Sequence, residues 1–291
     1  MKKTSPGVLI RIADITVGMT ADNSDIEIRP QGATSKFIVA RRKPDVVIQA
    51  RWSDLSQRNW GKKIFDSDAL WQLYQENGSS VFRFTSPILG PHPYKIASFN
   101  QTFNRAEIDL HRSYFEPNQP VDPLEYPLDE LTVTHFLATR EGAEVHACGV
   151  LAPSHEAYLF LGQSGAGKTT IAKLWEKVGG AKILSDDRIV LRKKNHGIWM
   201  YGTPWHGEAE IASPEKGLLT KIFFLRHGEK NELFPLSKTE AVSRLFACSF
   251  PPFYDQKTIE FVLAFLNEVV NTIPCYELKF FPDERAVEFI P

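Results

Sequence analysis

Residues 158–169 read Tyr-Leu-Phe-Leu-Gly-Gln-Ser-Gly-Ala-Gly-Lys-Thr, an apolar run that passes directly into a glycine-rich turn. Residues 162–169 fit the pattern G-x-x-x-x-G-K-[ST] at every fixed position. The apolar run predicts a short buried strand, and the residues that follow the turn predict a helix over 169–177. A turn of this composition between a strand and a helix is typical of a phosphate-binding loop.

The residue types of this loop suit a nucleoside triphosphate with Mg²⁺. Glycines let successive backbone N–H groups point at phosphate oxygens, and the N-terminus of the following helix adds positive charge. Lys168 offers a cation to the β- and γ-phosphates, and Thr169 offers a hydroxyl ligand to Mg²⁺. We expect ATP and Mg²⁺ as ligands, although no motif distinguishes adenine from guanine. The residues expected at the nucleotide are Gly162, Gln163, Ser164, Gly165, Ala166, Gly167, Lys168, Thr169 and Thr170.

An acidic pair, Asp186-Asp187, follows the short apolar stretch Ile183-Leu184. If this stretch is the next parallel strand, its end lies at the same sheet edge as the loop. One carboxylate could then bind Mg²⁺ while the other accepts a proton from an attacking hydroxyl. A solvated acidic turn is the alternative interpretation. His146 lies on a further predicted strand, where a lone histidine is more often a packed core residue.

The order of His146, the loop with Lys168, and then Asp186-Asp187 resembles the catalytic domain of HPr kinase/phosphorylase. That family shares its nucleotide fold with the ATP-dependent phosphoenolpyruvate carboxykinases, which also place an Asp-Asp pair soon after the loop. The resemblance covers roughly residues 125–205. It implies that His146 lies near the transferred phosphate and that Lys168 serves the nucleotide. It also implies that Asp186 is the catalytic base and that Asp187 joins Thr169 as a metal ligand.

The resemblance implies a kinase that transfers the γ-phosphoryl group of ATP to a hydroxyl, that of a serine or threonine in a protein or peptide. Thr170 stands where HPr kinases often carry Glu, and residues 203–208 replace a family segment, so the acceptor is not fixed. The chain looks closer to HPr-kinase-like proteins that accompany peptide-modifying gene cassettes. Two alternatives stay open: a kinase of a small metabolite, and a nucleotide-binding regulator without transfer activity.

The overall pattern predicts an α/β chain with two parts. Residues 1–115 alternate apolar and polar in short runs, which predicts a smaller β-rich module with one helix over 67–76. A proline-rich segment near residue 116 marks the expected boundary. Strands and helices alternate after it, and we expect residues 116–291 to form an HPr-kinase-like nucleotide-binding domain.

Charge and composition narrow the expected partners. The net charge is −1, so there is no global basic field to attract nucleic acid or anionic lipid. No stretch approaches the roughly 20 apolar residues of a membrane helix. The three cysteines are too scattered for a disulfide framework or a zinc site. We therefore expect a cytoplasmic enzyme with a protein or peptide acceptor and no nucleic-acid or membrane partner; whether it forms a homo-oligomer is left open.

Overall fold

A computed structural model describes residues 7–22, 24–55, 61–138, 140 and 142–290. The chain is mixed α/β, with two large sheets and few helices. It divides into two compact units, Met1–Phe136 and Leu137–Pro291. The described strands of each unit form one sheet of eight. The α/β class expected from the sequence is therefore confirmed.

The first unit is built almost entirely of strands, whose order across the sheet is β1-β2-β3-β8-β7-β6-β5-β4. The pairs β2–β3 and β3–β8 are parallel, and the other pairs are antiparallel. Two short 3₁₀ helices, Gly32–Phe37 and Arg112–Tyr114, lie in the connections. The strands are β1 (Val8–Ile12), β2 (Ile15–Ala21), β3 (Val46–Ser53), β4 (Lys62–Asp66), β5 (Trp71–Glu76), β6 (Ser79–Ser86), β7 (Gly90–Phe99) and β8 (Arg105–His111).

The helix predicted over residues 67–76 is wrong, because this segment forms a turn and then strand β5. The Ser67 hydroxyl accepts hydrogen bonds from the backbone N–H groups of Ala69 and Trp71, which closes the turn. Strand β5 then pairs with β4 on one side and β6 on the other. Cross-strand pairing and burial of Leu73 and Tyr74 outweigh the helical propensity of the local sequence.

The division between the units falls after Phe136, about twenty residues beyond the boundary expected at 115/116. The intervening segment is joined to the first unit by backbone hydrogen bonds. The Val121 N–H donates to the Glu27 carbonyl at 2.8 Å, and the Val121 carbonyl accepts from the Arg29 N–H at 2.9 Å. Proline content signalled a turn-rich connection, but these long-range bonds assign the connection to the first unit. Helix α1 (Leu128–Leu137) runs across the division.

Lys95 on β7 gives a stability prediction for the first unit. Its side chain is fully buried, and its Nζ bonds Glu125 at 3.0 Å. Burial lowers the pKa of Lys95, and the charge of Glu125 opposes that shift only in part. Because the Glu125 side chain is 43% exposed, water can solvate its carboxylate once the lysine is removed. Lys95→Met should therefore leave the free energy of unfolding unchanged or raise it by about 1 kcal/mol in thermal denaturation.

The control is Lys95→Ala, which leaves a void and should lower the Tm. A Lys95→Met loss as large as that of the alanine variant would show that the buried charge itself stabilises the unit.

The second unit contains eight described strands. They are β9 (Gly142–Leu151), β10 (Ala157–Leu161), β11 (Lys182–Ser185), β12 (Arg188–Lys194), β13 (Gly197–Gly202), β14 (Lys216–His227), β15 (Glu232–Pro235) and β16 (Cys275–Phe280). Its further helices are α2 (Lys168–Glu176), α3 (Lys238–Ala247), α4 (Gln256–Thr272) and α5 (Arg285–Glu288).

Strand β14 closes part of the second sheet on itself. It pairs with β13 through residues 216–218 and then runs parallel to β10 through residues 219–224. Because β10, β9, β12 and β13 are also paired in that order, the five strands form a ring. Helices α3 and α4 cover one face of the sheet, and α2 and α5 cover the other.

Three parallel strands of this sheet end at one edge. Strands β10, β14 and β16 are mutually parallel. Strands β10 and β11 lie on opposite sides of β9 and are both antiparallel to it, so β11 runs the same way as β10. Strand β12 continues along β9 from β11, so Asp186 and Asp187, between these two strands, lie across β9 from the residues that follow β10. Strands β10 and β11 are therefore not neighbours in the sheet.

Among the described residues, no helix combines the length and apolar character needed to cross a membrane.

Candidate functional site

The glycine-rich loop joins the end of β10 to the start of α2, as the sequence predicts. Gly165 has φ of 81° and Gly167 has φ of 104°, which are left-handed conformations that favour glycine. A Cβ on Gly162 would lie 2.4 Å from the Ala166 Cβ, and a Cβ on Gly167 would lie 2.6 Å from the Phe280 ring. The glycines are therefore required by the loop's conformation and by its close packing.

Lys168 is held inside the loop. The residue is 7% exposed, and its Nζ donates to the carbonyl oxygens of Gly162 at 2.8 Å and Gln163 at 3.3 Å. Burial lowers the pKa of Lys168, while the charge of Asp187 acts in the opposite direction. A buried cation whose hydrogen-bond partners among the described residues are neutral carbonyl groups is well suited to an incoming anion.

The outer turn of the loop is held by His227 at the end of β14. Its Nε2 lies 2.6 Å from the Gly165 carbonyl oxygen, and its ring stacks on Phe280 with centroids 6.1 Å apart. A cavity of about 460 Å³ lies beside the loop, between residues 161–166, the end of β14 and helix α3. In the sequence, His227 is marked only by its position just after the apolar run of residues 222–225.

Asp187 and His146 are brought into direct contact. The Asp187 Oδ1 lies 2.7 Å from the His146 Nε2, and each side chain is 25% exposed. The backbone explains the proximity, because the Ala147 N–H donates to the Asp187 carbonyl at 3.0 Å. Burial tends to raise the pKa of Asp187, but the His146 hydrogen bond and the charges of Arg188, His146 and Lys168 lower it overall. The pair is accessible, and Asp187 is held ionised.

Asp186 has quite different surroundings. It is 2% exposed, and its two carboxylate oxygens accept the backbone N–H groups of Gly207 at 3.1 Å and Ala209 at 3.0 Å. A Cβ on Gly207 would come within 2.8 Å of the Asp186 Oδ2, so only glycine permits this approach. Asp186 therefore anchors the segment that follows β13, and in this arrangement it is closed to an incoming hydroxyl.

Asp186→Asn is expected to destabilise this segment. Asparagine keeps one acceptor oxygen, so its NH₂ group must face either the Gly207 or the Ala209 N–H. Leaving one buried donor unpaired costs about 1–3 kcal/mol, which lowers the Tm of a unit of this size by several degrees. Differential scanning calorimetry measures this, with Gly207→Ala as a second variant that disturbs the same contact.

Turnover distinguishes this anchoring role from the base role expected from the sequence. If Asp186 only anchors the segment, turnover of Asp186→Asn should fall by less than about tenfold at a temperature where the variant is folded. A fall of roughly 10²–10⁴-fold with an unchanged Tm would instead support the catalytic base.

The other residues expected at the nucleotide lie in the loop or at the start of α2. Gln163, Ser164 and Ala166 are in the loop, and Thr169 and Thr170 are in the first turn of α2. Among the described residues, no group of three or more His, Cys, Asp and Glu side chains forms a ready-made metal site.

The segment after α3 was not anticipated as part of the site. Its Cys248 carbonyl accepts the His146 N–H at 2.6 Å, and Ser249 forms an isolated bridge with Val145. The segment thus continues along β9 where β10 has ended, which fixes the backbone of His146. The sequence alone does not reveal this pairing, because it depends on how the segment lies in register with β9.

A scan of the chain against protein-family models found no match. A search of curated proteins found no match either.

Proposed function

We propose that the unit Leu137–Pro291 is an HPr-kinase-like P-loop domain and that the chain is an ATP- and Mg²⁺-dependent kinase. The reaction we propose transfers the γ-phosphoryl group to a hydroxyl, that of a serine or threonine in a protein or peptide. One observation carries the proposal: the loop around Lys168 follows the end of β10, and the Asp187–His146 pair lies across β9 from that point, where the charges of Lys168 and Asp187 affect each other's pKa.

The loop fits a triphosphate in three respects. Gly165 and Gly167 have the positive φ values that an anion-binding turn requires, and the loop leads into the N-terminus of α2. The third is Lys168, whose desolvated ammonium bonds only weak carbonyl acceptors of the loop. Phosphate oxygens are stronger, charged acceptors, so nucleotide binding would draw Lys168 away from these carbonyls.

The donor groups also fit Mg²⁺, which prefers oxygen ligands and usually keeps several waters. Thr169 would supply a hydroxyl from the first turn of α2, and Asp187 an ionised carboxylate. The bound ion would neutralise charge on the phosphates. Since the chain offers few ligands of its own, phosphate oxygens would have to complete the coordination.

The protein's part in the reaction would be positioning and charge neutralisation, because phosphoryl transfer requires little covalent chemistry from the enzyme. Lys168 would hold the phosphates, and Asp187 would bind the metal. His146 would hold Asp187 and lie beside the transferred group. We replace the base role expected for Asp186 by the anchoring of residues 207–209, because its carboxylate is only 2% exposed and accepts two backbone N–H groups of that segment.

The test is incubation with γ-labelled ATP and Mg²⁺ in a heat-treated lysate, whose own kinases are inactive. We expect label on protein serine or threonine, and at least about 100-fold less label with the Asp187→Asn variant. Label on small molecules only would favour a metabolite kinase. ATP binding without any transfer would favour a regulator, and neither binding nor transfer would contradict the proposal.

A further inference from the structure

Arg188 lies at the start of β12, directly opposite His146 on β9. Its guanidinium joins two carboxylates: Nη1 lies 2.5 Å from the Asp187 Oδ2, and Nε lies 3.2 Å from the Glu144 Oε1. The Glu144 side chain is completely buried, whereas that of Arg188 is 19% exposed. A buried carboxylate needs a charged partner, so Glu144 holds the guanidinium from the interior side.

Phe250 holds the same guanidinium from another direction. The guanidinium carbon lies 4.1 Å from the centre of the Phe250 ring, a stacking arrangement that arginine favours. The ring is itself placed by the backbone, because the Phe250 N–H donates to the Glu144 carbonyl at 3.0 Å. Contacts with a buried carboxylate and an aromatic face leave Arg188 little freedom to rotate.

The restrained guanidinium of Arg188 in turn limits the movement of Asp187. One of its oxygens takes a hydrogen bond from Arg188 and the other is paired with His146. Two donors on opposite oxygens fix the plane of a carboxylate, and each oxygen keeps a further lone pair for another ligand. A carboxylate held in one orientation loses less freedom when it binds a metal.

We propose that Arg188, anchored by Glu144 and Phe250, is a positioning residue that holds Asp187 ready for the Mg²⁺ of a bound nucleotide. The inference rests on the proposed function, since it gives Asp187 a use only if Mg-ATP binds at the loop. Glu144 also has a role in this proposal, because its buried carboxylate orients the guanidinium of Arg188.

The experiment measures ATP affinity by calorimetry with Mg²⁺ and with EDTA, so that the Mg²⁺-dependent gain is obtained separately. Arg188→Ala should reduce this gain at least about tenfold, while the affinity for ATP in EDTA changes by less than about threefold. Arg188→Lys should keep part of the gain. Millimolar guanidinium chloride should restore part of it to Arg188→Ala, which loss of fold alone would not allow.

A double variant controls for the possibility that Arg188→Ala does not fold. Arg188→Ala removes a charged partner from the buried Glu144, but Glu144→Gln with Arg188→Met removes both charges together. This protein should fold and still lack most of the Mg²⁺-dependent gain. Arg285→Ala is the matched control, because Arg285 bonds Asp283 on the surface and should leave the gain unchanged.

A full Mg²⁺-dependent gain in the folded double variant would overturn the inference and leave the proposed function intact. A wild-type protein that binds no ATP under either condition would overturn the proposed function, and this inference with it.

Discussion

Lys168→Ala is expected to weaken Mg-ATP binding by at least about tenfold, which corresponds to about 1.4 kcal/mol. The variant removes the desolvated cation that lies inside the glycine-rich loop and replaces it with a methyl group. The fold should persist, because a buried ammonium is itself costly and its loss leaves only two carbonyl groups without that donor. Isothermal calorimetry gives the affinity, and thermal denaturation checks the fold.

Lys173→Ala on the exposed side of the same helix is the matched control and should bind Mg-ATP as tightly as the unaltered protein. Equal affinities for the Lys168 and Lys173 variants would show that the loop does not hold the triphosphate.

Asp187→Asn is expected to reduce turnover by about 100-fold or more and to abolish most of the Mg²⁺-dependent gain in ATP affinity. The substitution removes the negative charge that a metal ion needs. It also presents an NH₂ group to either His146 or Arg188, both of which point donors at this position. Steady-state kinetics with an identified acceptor and calorimetry with and without Mg²⁺ measure the two effects.

Asp283→Asn serves as the control, because Asp283 is paired with Arg285 at the surface of the same unit. Near-normal turnover of Asp187→Asn would mean that the acidic pair has only a structural role, and the transfer reaction proposed here would have to be abandoned.

The sequence predicts the loop well because its determinants are local. The apolar run predicts strand β10, the glycines predict the turn, and the residues after them predict helix α2, which the structure confirms at Ala157–Leu161 and Lys168–Glu176. Positive φ at Gly165 and Gly167 follows from the same residues. Each of these features depends on neighbours within a few positions along the chain.

Predictions from local helical propensity are wrong where pairing between distant strands determines the structure. Residues 67–76 contain several good helix formers, yet β5 lies between two partner strands and buries Leu73 and Tyr74. The division after Phe136 likewise depends on bonds such as that between Val121 and Glu27, which are distant in sequence. Neither pairing leaves a periodic pattern that a single sequence reveals.

The same reason limits how much of the site could be predicted. The resemblance implies that His146 lies near the transferred phosphate, but the contact of His146 with Asp187 is seen only in the structure. The partners of Asp186 could not be foreseen, since they are backbone N–H groups of a loop some twenty residues away. The ion pair between Arg188 and Glu144 depends on the register of β12 against β9.

The most direct measurement of the central claim is a crystal structure with a non-hydrolysable ATP analogue and Mg²⁺. We predict that the triphosphate lies in the loop of residues 162–169, with the Lys168 Nζ on phosphate oxygens instead of the Gly162 carbonyl. We predict one metal ion, bound by Thr169 and Asp187 and by phosphate oxygens. A nucleotide bound elsewhere, or a loop in which Lys168 keeps its carbonyl partners beside a bound nucleotide, would contradict the account.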